Sequence, residues 1–418
     1  MRLEVFVQGE RAGLLDQPSP SQYRFVYAQE ARTPVSLAMP VRREPYLSPY
    51  LHPVFQVSLP EGALRTEIER GLSKRVDAAG DLAVLALVGR HLVGNLVLLP
   101  EGASFSARQE NESENLSRLL RYGGSPEFIA GLLERRSGTS GVSGGYLKVL
   151  ADTAPVRISV ALDRWIVKLP SPLHPFLARN EFFSMLAAAR SGAETASVRL
   201  SDDGNALLVA RFDRTDTGAA LGFEDLAALM GLPAGLKFSG SVERIVKTLR
   251  VYCAPDQRAR SLRRFFRQYL LAMALRNGDA HLKNFALIHE GGTHARLAPC
   301  YDMATMAAYA PAGSDGHTLD IAALTLGGTK RWPSRRALAH LARDCGADFE
   351  EECACVARGV NDAAGLLLRE SEEHPEFSGH GARMLGLWRE GLSSLGQEAV
   401  WEAPAAEHDG TSSVPGSR

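Results

Sequence analysis

Residues 261–302 carry the pattern that most narrows what this chain can fold into. Apolar residues recur at helical spacing in SLRRFFRQYLLAMALRN, and the polar octapeptide NGDAHLKN follows directly. An apolar run, a Glu-Gly-Gly turn and a second short run come next, and the segment closes on Asp302. The glycine turn predicts a hairpin, which would bring Asp279 and Asp302 to the same end of two paired strands. The helical spacing predicts one buried face, made of Leu262, Phe265, Phe266, Tyr269, Leu270 and Met273.

The polar loop places Asp279 and Asn284 five residues apart. Phosphoryl transfer needs a group that orients a hydroxyl nucleophile and oxygen ligands that hold Mg²⁺ on nucleotide phosphates. Protein kinases supply both from one loop with an Asp and an Asn at this spacing. Asp302 stands where such folds bring in a further metal-binding carboxylate. Either loop residue alone is more typical of a turn cap, but together with Asp302 they favour a phosphoryl-transfer site.

Two upstream segments fit the same chemistry but are weak by themselves. The alternating strand pattern RWIVKLP carries Lys168, which can reach phosphates and pair with a carboxylate on the next helix, for which Glu181 is the candidate. The segment SGTSGVSGGYLKVL, residues 137–150, has small residues that let backbone N–H groups approach phosphate oxygens. It is neither a Walker A motif nor G-x-G-x-x-G, and by itself it is more typical of a linker.

Composition and charge exclude some classes of function. The 418 residues carry a formal net charge of −1, so no overall basic field favours nucleic acid as a direct partner. Five cysteines form no C-x-x-C pair, which disfavours a redox or zinc motif. The N-terminus lacks the pattern of a signal peptide, and no apolar run approaches the ~18 residues that span a bilayer. We therefore expect a cytoplasmic protein without a membrane partner.

Shifts in composition divide the chain into four segments, and the predicted class is α+β. Residues 1–103 hold short strand-like runs closed by Gly and Pro, which predicts a β-rich subdomain with a helix or two. Residues 104–222 start with a polar stretch and continue with strand and helix patterns, which predicts a mixed segment of both element types. Helical patterns dominate residues 223–402. Residues 403–418 are small and polar, and we expect them to be disordered.

Several short motifs, in this order, resemble one known family. They are SGVSGGYLK, WIVKLP, NEFFSMLAA, LLVARFDR, FEDLAALMG, RNGDAHLKNFALI and RLAPCYDM, and the first segment adds VSLAMP, LPEG and DLAVLALVGRHLVGNLVLLP. Together they resemble the HipA family of bacterial serine/threonine kinases, the toxin halves of HipBA toxin–antitoxin systems. The resemblance implies a two-lobed protein-kinase-like fold with a β-rich N-terminal subdomain and a mainly helical C-terminal lobe.

The resemblance also implies cofactors and partners. ATP and Mg²⁺ would be required, and a loop serine would be autophosphorylated. A small helix-turn-helix antitoxin would bind and inhibit the kinase, so that DNA would be contacted only indirectly. The implied protein substrate is a component of translation, typically an aminoacyl-tRNA synthetase.

Individual residues acquire roles from the same resemblance. Asp279 would be the catalytic base, Asn284 and Asp302 would hold Mg²⁺, and Lys168, paired with Glu181, would contact the phosphates. The adenine edge would be held by the backbone of Ala210, Arg211 and Phe212. The remainder of the nucleotide site would be lined by Ser143, Gly144, Gly145, Tyr146, Leu147, Lys148, His281, Leu282, Lys283, Asn284, Tyr301 and Asp302.

The chain departs from the family pattern at three positions. Ala210 stands where the family usually has Glu, which matters little if the contact is through the main chain. Tyr146 replaces the usual loop Gln, and Gly141 aligns with the usual phosphoacceptor serine. Autophosphorylation is therefore either absent or shifted to Ser140 or Ser143.

Alternative functions remain open. His281 gives the pattern Gly-Asp-x-His-x-x-Asn of phosphoinositide kinases, so a lipid or small-molecule kinase is one alternative. An inactive kinase-fold scaffold that acts with an antitoxin as a transcriptional corepressor is another. We interpret two basic runs as solvated helix faces rather than antitoxin or DNA contacts; they are Arg258, Arg260, Arg263 and Arg264, and Lys330, Arg331, Arg335 and Arg336.

Overall fold

The structure is a computed structural model, and most of the chain is described in it. The described residues are 1–57, 59, 65, 69, 80–90, 92–103, 116–122, 125, 128, 159–162, 164–169, 173–311 and 321–401.

The N-terminal part is built on a five-stranded antiparallel sheet with the order β4-β3-β2-β1-β5. Alternate residues of its strands, such as Leu3 and Phe25, share a core with the helices that cover the sheet. At Gly13 an added Cβ would lie 2.2 Å from the Val26 carbonyl oxygen, so only glycine fits there. The elements are β1 Arg2–Val7, β2 Glu10–Ser19, β3 Gln22–Tyr27, β4 Tyr46–Ser48, α1 Pro53–Gln56, α2 Asp81–Val88 and β5 Leu96–Pro100.

A second antiparallel sheet, with the order β6-β7-β9-β8, lies between two hydrophobic cores. Strand β9 shows how it joins them, because successive side chains point to opposite faces. Leu208 packs into the core of the N-terminal part, whereas Leu207 and Val209 pack into the core of the helical part. The elements of this region are α3 Leu116–Tyr122, β6 Ser159–Ala161, β7 Trp165–Lys168, α4 Leu177–Arg190, β8 Val198–Leu200 and β9 Leu207–Ala210.

The C-terminal part is mainly helical. All six residues predicted to form the buried face of the central helix are buried. A small sheet with the order β10-β11-β12 packs beside the helices. The elements are β10 Gly222–Asp225, α5 Leu226–Leu229, α6 Val242–Tyr252, α7 Pro255–Ala274, β11 Ala286–Glu290, β12 Thr293–Leu297, α8 Arg335–Cys345, α9 Phe349–Glu373 and α10 Pro375–Ser394, with short 3₁₀ turns at Ala234–Leu236, Leu282–Asn284 and Met306–Tyr309.

The predicted hairpin is present. Strands β11 and β12 pair antiparallel, and Gly291 and Gly292 turn the chain with φ values of 55° and 90°. Such left-handed conformations favour glycine, which explains the Glu-Gly-Gly signal in the sequence.

A buried polar contact, here called the Glu224 bridge, links the N-terminal part to this small sheet. The Glu224 carboxyl group accepts hydrogen bonds from the Ser36 hydroxyl, from the Leu37 backbone N–H at 2.7 Å and from His289 Nε2 at 3.0 Å. His289 Nδ1 accepts a hydrogen bond from the Gly292 N–H at 2.9 Å, so the ring proton lies on Nε2 and is donated to Glu224. The bridge satisfies buried polar groups on both sides of the junction.

The α+β prediction is confirmed, with strands concentrated towards the N-terminus and helices towards the C-terminus. The helix that carries the NEFFSMLAA motif begins at Leu177, three residues before the motif, because the chain enters it from a left-handed Phe176 with φ of 60°. The segment boundaries at 103 and 222 stay predictions, and residues 104–115 and 403–418 lie outside the described residues. None of the described helices combines the length and apolarity needed to cross a bilayer.

Candidate active site

The polar loop after α7 is fixed by hydrogen bonds within itself. The His281 N–H donates to Asn284 Oδ1 at 2.9 Å, and the Asn284 N–H donates to the His281 carbonyl at 3.0 Å. This reciprocal pair closes the 3₁₀ turn, and the Leu282 side chain anchors the turn in the helical core. The Asn284 side chain is thereby held towards Asp302, and its Nδ2 donates to Asp302 Oδ2 at 2.6 Å.

Asp302 lies at the centre of a cluster of charged and polar groups. Lys168 Nζ donates to Asp302 Oδ1 at 2.6 Å, and the same ammonium group also contacts Glu181 Oε1. Asp302 has φ of 59°, a left-handed conformation in which Asp and Asn are the most tolerated residues after glycine. The structure therefore brings together four residues predicted from distant segments, namely Lys168, Glu181, Asn284 and Asp302.

These four residues are here called the Asp302 cluster, and their side chains differ in solvent exposure. The Glu181 side chain is 1% exposed, Lys168 is 14% exposed and Asp302 is 24% exposed. The cluster is thus closed towards α4 and accessible from the side of Asp302. A ligand that enters from that side would meet the lysine and Asp302 first.

Asp279 is the most accessible of the predicted catalytic residues, with a side chain that is 36% exposed. Its N–H donates to Asn277 Oδ1 at 3.2 Å, and its Oδ1 lies 4.0 Å from His281 Nε2. The His281 ring in turn packs edge-on against Phe238, with ring centroids 5.1 Å apart. The carboxylate is therefore oriented by its loop and remains reachable by a substrate hydroxyl.

Three residues that sequence reasoning missed hold the Asp302 segment in place. Asn180 donates to the Thr305 carbonyl at 3.0 Å and accepts from the Thr305 N–H at 2.7 Å. Trp388 Nε1 donates to Thr305 Oγ1 at 2.6 Å. Because Asn180 directly precedes Glu181 on α4, the same helix positions both Lys168 and the backbone after Asp302. The only sequence signal for Asn180 was its position next to Glu181. Nothing in the sequence indicated its contact with Thr305.

In the segment predicted to hold adenine, Ala210 to Phe212, the side chain of Arg211 is buried and has a structural role. The Arg211 guanidinium contacts Asp213 and donates to the Leu162 carbonyl at 3.0 Å and the Leu92 carbonyl at 2.9 Å. Burial alone would raise the pKa of Asp213, but the hydrogen bonds and charge of Arg211, with further help from Arg214, lower it instead. A carboxylate below its usual pKa keeps this contact ionised at neutral pH.

Two of the backbone donors proposed for adenine are already engaged. The Ala210 N–H donates to the Ser197 carbonyl at 2.8 Å, and the Arg211 N–H donates to the Arg164 carbonyl at 2.9 Å. A main-chain contact to adenine would therefore use carbonyl oxygens or the Phe212 amide. The Phe212 ring packs against Tyr301 with centroids 5.4 Å apart.

Tyr301, which is partly buried, and Cys300, which is buried, lie beside the cluster and stay neutral. Burial, reinforced by the charges of Asp225 and Asp302, holds the pKa of the Tyr301 phenol well above its usual value. Burial, followed by the charges of Asp302 and Glu181, raises the pKa of the Cys300 thiol to about 12. The Tyr301 hydroxyl donates to the Lys283 carbonyl at 2.7 Å, so it tethers the two halves of the site. Neither group is a base at neutral pH.

The donor set fits a magnesium ion held jointly with nucleotide phosphates. Mg²⁺ in such sites takes one or two protein oxygens and completes its shell with water and phosphate. Asp302 offers carboxylate oxygens, and Asn284 offers an amide oxygen once its side chain turns over. Among the described residues there is no cluster of three or more His, Cys, Asp and Glu side chains of the kind that would bind a metal without other ligands.

The predicted phosphate loop cannot be placed against this geometry. Ser140, Gly141 and the predicted nucleotide contacts from Ser143 to Lys148 lie outside the described residues, as does the whole of segment 137–150.

Comparison with known protein families gives two matches. Residues 140–365 match the HipA-like C-terminal domain, and residues 3–99 match the HipA N-terminal domain. The chain belongs to the HipA family. Its C-terminal match contains all four residues of the Asp302 cluster together with Asp279.

Relatives of this HipA-family protein carry kinase names. It is 27% identical over 374 residues to the Sinorhizobium fredii protein "Putative kinase Y4dM", covering 81% of this chain and 85% of the relative. It is 26% identical over 332 residues to "Putative kinase Y4mE" of the same organism, covering 73% of this chain and 78% of the relative.

A solved structure has the same fold. It is a chain of the Shewanella oneidensis MR-1 toxin–antitoxin complex of HipA, HipB and operator DNA, with a TM-score of 0.65 and 17% sequence identity. The match covers 94% of this chain and 98% of the other. The two-lobed fold predicted from the family resemblance is therefore confirmed.

Proposed function

We propose that this HipA-family protein is an ATP- and Mg²⁺-dependent serine/threonine protein kinase. The observation that supports this most directly is the Asp302 cluster, in which Lys168 contacts both Glu181 and Asp302 while Asn284 donates to Asp302. A lysine and glutamate pair beside a metal-binding Asp and Asn is the arrangement that protein kinases use to hold nucleotide and metal.

Lys168 has the central role in binding. Its ammonium group reaches the nucleotide phosphates from the strand β7, and Glu181 keeps it from turning away. With nucleotide bound, Asp302 and Asn284 would hold Mg²⁺, which would supply positive charge against the negative charge that develops on the phosphates during transfer.

Asp279 acts on the substrate. Its exposed carboxylate orients the hydroxyl of the acceptor residue and accepts its proton. The hydroxyl oxygen attacks the terminal phosphorus atom of ATP, the bond from that phosphorus to the bridging oxygen breaks, and ADP leaves. The products are a phosphoester on the substrate and ADP.

The toxin–antitoxin context supplies the proposed partners. The structural relative is named as HipA in complex with HipB and operator DNA, so we expect a small helix-turn-helix antitoxin to bind this protein as well. DNA would then be contacted through the antitoxin. The proposed substrate is a component of translation such as an aminoacyl-tRNA synthetase, and the expected location is the cytoplasm.

Self-phosphorylation is proposed for Ser140 or Ser143. These hydroxyls lie in the Ser/Gly-rich segment that the family resemblance places against ATP. A phosphate there would carry about two negative charges and would repel the phosphates of ATP, so the modification would switch the kinase off.

The alternatives make different predictions for one experiment. Full-length protein is incubated with Mg²⁺ and ATP labelled on its terminal phosphate, in parallel with the protein fraction of a bacterial lysate and with a lipid and small-molecule extract of the same cells. A serine/threonine kinase yields labelled protein whose acid hydrolysate contains phosphoserine or phosphothreonine. Mass spectrometry of the kinase itself then locates any phosphate on Ser140 or Ser143.

The contrary outcomes are equally specific. Label that enters only extracted lipids or small molecules supports a lipid or small-molecule kinase. No labelled product at all, together with repression of a reporter by this protein and an antitoxin, supports the inactive scaffold. Glu290→Gln, at the exposed last residue of β11, is a control variant that should transfer phosphate like the wild type.

A further inference from the structure

One face of α7, opposite its buried face, is lined by arginines. Arg260 lies three and four residues before the adjacent Arg263 and Arg264, and Arg267 lies four and three residues after them, which places all four on the same side of a helix. They line an open cavity of about 200 Å³ together with residues 192–194, Gln268 and Glu352. That volume exceeds several-fold the roughly 10–15 Å³ that a single water molecule requires.

Two carboxylates balance only part of this charge. Arg267 forms a two-pronged pair with Glu352, with Nε–Oε2 and Nη2–Oε1 distances of 2.6 and 2.9 Å. Glu194 lies 3.2 Å from Arg264 and 3.7 Å from Arg260. Among the residues that the structure describes, Arg263 forms no ion pair. The lining of the cavity therefore has four arginines against two glutamates, and a net positive charge.

Of the four arginines, Arg264 has the surroundings that would gain most from a bound anion. Its side chain is 15% exposed, and its Nε and Nη2 atoms are buried without a hydrogen bond to any described residue, although Nη2 lies close to Glu194. Burial lowers the pKa of its guanidinium; the charge of Glu194 opposes this shift, and the like charges of Arg260 and Arg296 add to it. A buried donor without an acceptor costs free energy, and an anion would supply the acceptor.

The helix also bears a cost for this arrangement. Like charges three or four residues apart on a helix repel each other, and α7 has four such arginine pairs in two turns. A helix face that is only solvated does not require so many arginines at these spacings. The sequence alone favoured a solvated face, and the partial burial of Arg264 contradicts that interpretation for this residue.

We propose that this cavity, here called the arginine pocket, binds a phosphomonoester or inorganic phosphate. A tetrahedral dianion can accept hydrogen bonds from several guanidinium groups at once, and the planar fork of arginine suits phosphate oxygens. A phosphodiester carries one charge and needs an extended basic surface rather than a pocket, so nucleic acid fits less well.

The pocket is separate from the nucleotide site and does not depend on the proposed kinase activity. It is connected to that site through the backbone, because Glu194 presents its side chain to the pocket while its carbonyl accepts from the Cys300 N–H at 2.7 Å. Cys300 is two residues before Asp302. A bound phosphate that draws Arg264 away from Glu194 could therefore shift the backbone next to the Asp302 cluster through the hydrogen bond between Glu194 and Cys300.

Titration calorimetry of the full-length protein without nucleotide or Mg²⁺ tests the proposal. The ligands are inorganic phosphate, O-phospho-L-serine, a phosphoserine peptide and a short oligonucleotide. Arg260→Gln/Arg263→Gln should weaken phosphate binding by about tenfold for each arginine removed, because hydrogen bonds to charged groups are worth about that factor. Both residues are exposed, so the variant should fold and should retain basal phosphotransfer.

Two further variants locate the binding. Arg336→Gln/Arg343→Gln removes the same charge from exposed positions on α8 and should bind phosphate like the wild type. Lys168→Met alters the nucleotide site and should also leave phosphate binding unchanged. If inorganic phosphate and O-phospho-L-serine bind more tightly than the phosphoserine peptide, the pocket is a metabolite site. If the peptide binds more tightly than they do, the pocket is a site for a phosphorylated protein.

Three results would overturn the proposal. The first is no binding at millimolar phosphate. The second is binding that survives in Arg260→Gln/Arg263→Gln but is lost in Lys168→Met, since that places the phosphate in the nucleotide site. The third is oligonucleotide binding that is tighter than phosphate binding and equally sensitive to the two arginines.

Discussion

The Asp302 cluster and the Glu224 bridge are both small groups of polar side chains, but they differ in solvent exposure. The Asp302 cluster and the Glu224 bridge each join segments that are far apart in the sequence. In the cluster, Lys168 is 14% exposed and Asp302 is 24% exposed. In the bridge, His289 is 2% exposed and Glu224 is 5% exposed. The first group is open on one side, and the second is sealed.

The difference separates a site from a structural contact. An open cluster can exchange its internal partners for those of a ligand, because water can reach and replace each bond that is broken. A sealed group has no such replacement, so loss of one partner leaves buried donors unsatisfied. We therefore expect substitutions in the first group to change phosphotransfer and substitutions in the second to change stability.

The largest expected effect is on catalysis at Asp279. Asp279→Asn keeps the size of the side chain but removes the proton acceptor, and we expect the transfer rate to fall by about 10²-fold to 10⁴-fold. Nucleotide binding should stay close to normal because Asp279 faces the substrate. A phosphotransfer assay beside calorimetric titration of Mg-ATP measures both quantities. Transfer within about threefold of the wild-type rate in a folded variant would contradict the proposed mechanism.

The Glu224 bridge should give the largest effect on stability. Glu224→Leu removes the acceptor for two buried donors and one partly buried donor, and we expect a loss of about 3–5 kcal/mol in the free energy of unfolding. Glu224→Gln should lose less, because the Ser36 hydroxyl can turn and accept from the amide. Chemical denaturation compares the two variants. The contrast between cluster and bridge fails if Glu224→Leu unfolds like the wild type and loses phosphotransfer instead.

Asp302→Asn tests the open side of the cluster. The side chain keeps its shape and tolerates the left-handed backbone, but the loss of charge removes the ion pair with Lys168 and weakens the metal site. We expect the affinity for Mg-ATP to fall at least about tenfold, which is ~1.4 kcal/mol, and transfer to be lost. Calorimetry with and without Mg²⁺ separates the two contributions. An unchanged Mg²⁺ requirement would remove Asp302 from the metal site.

The smallest effect is expected at Tyr301, which lies between the open and the sealed parts. Tyr301→Phe removes the hydrogen bond to the Lys283 carbonyl and should cost about 1 kcal/mol of stability with little change in transfer. The pKa of the phenol is raised in the folded state, so its contribution is complete below pH 10 and is lost as the pH rises above that value. Wild type should therefore lose more stability than Tyr301→Phe between pH 10 and 11. An equal loss would mean that the phenol is not held neutral by the fold.

Part of the site could be predicted because its signals are local. The spacing of Asp279 and Asn284, the glycines of the hairpin and the alternation around Lys168 are each contained within a few residues. Turn geometry and strand periodicity act over that same range, so a short segment is enough to reveal them. The family resemblance then supplied the order in which the segments combine.

Other contacts depend on long-range packing. Asn180 meets Thr305 across 125 residues and Ser36 meets Glu224 across 188. No periodic pattern encodes such a pairing, because the partner is chosen by how whole elements pack. The arginine pocket is a similar case, since its four arginines are local but the two glutamates and the cavity come from other elements.

The sequence by itself therefore determined the α+β class, the helix, loop and hairpin unit that ends at Asp302, and the residue types suited to phosphoryl transfer. Only the tertiary structure decided that Lys168 also contacts Asp302, that Arg211 is a buried structural group, and that Arg264 lines a pocket. The reason is physical. Backbone propensity and hydrophobic periodicity are properties of neighbouring residues, whereas burial and charge pairing arise only when distant segments exclude water together.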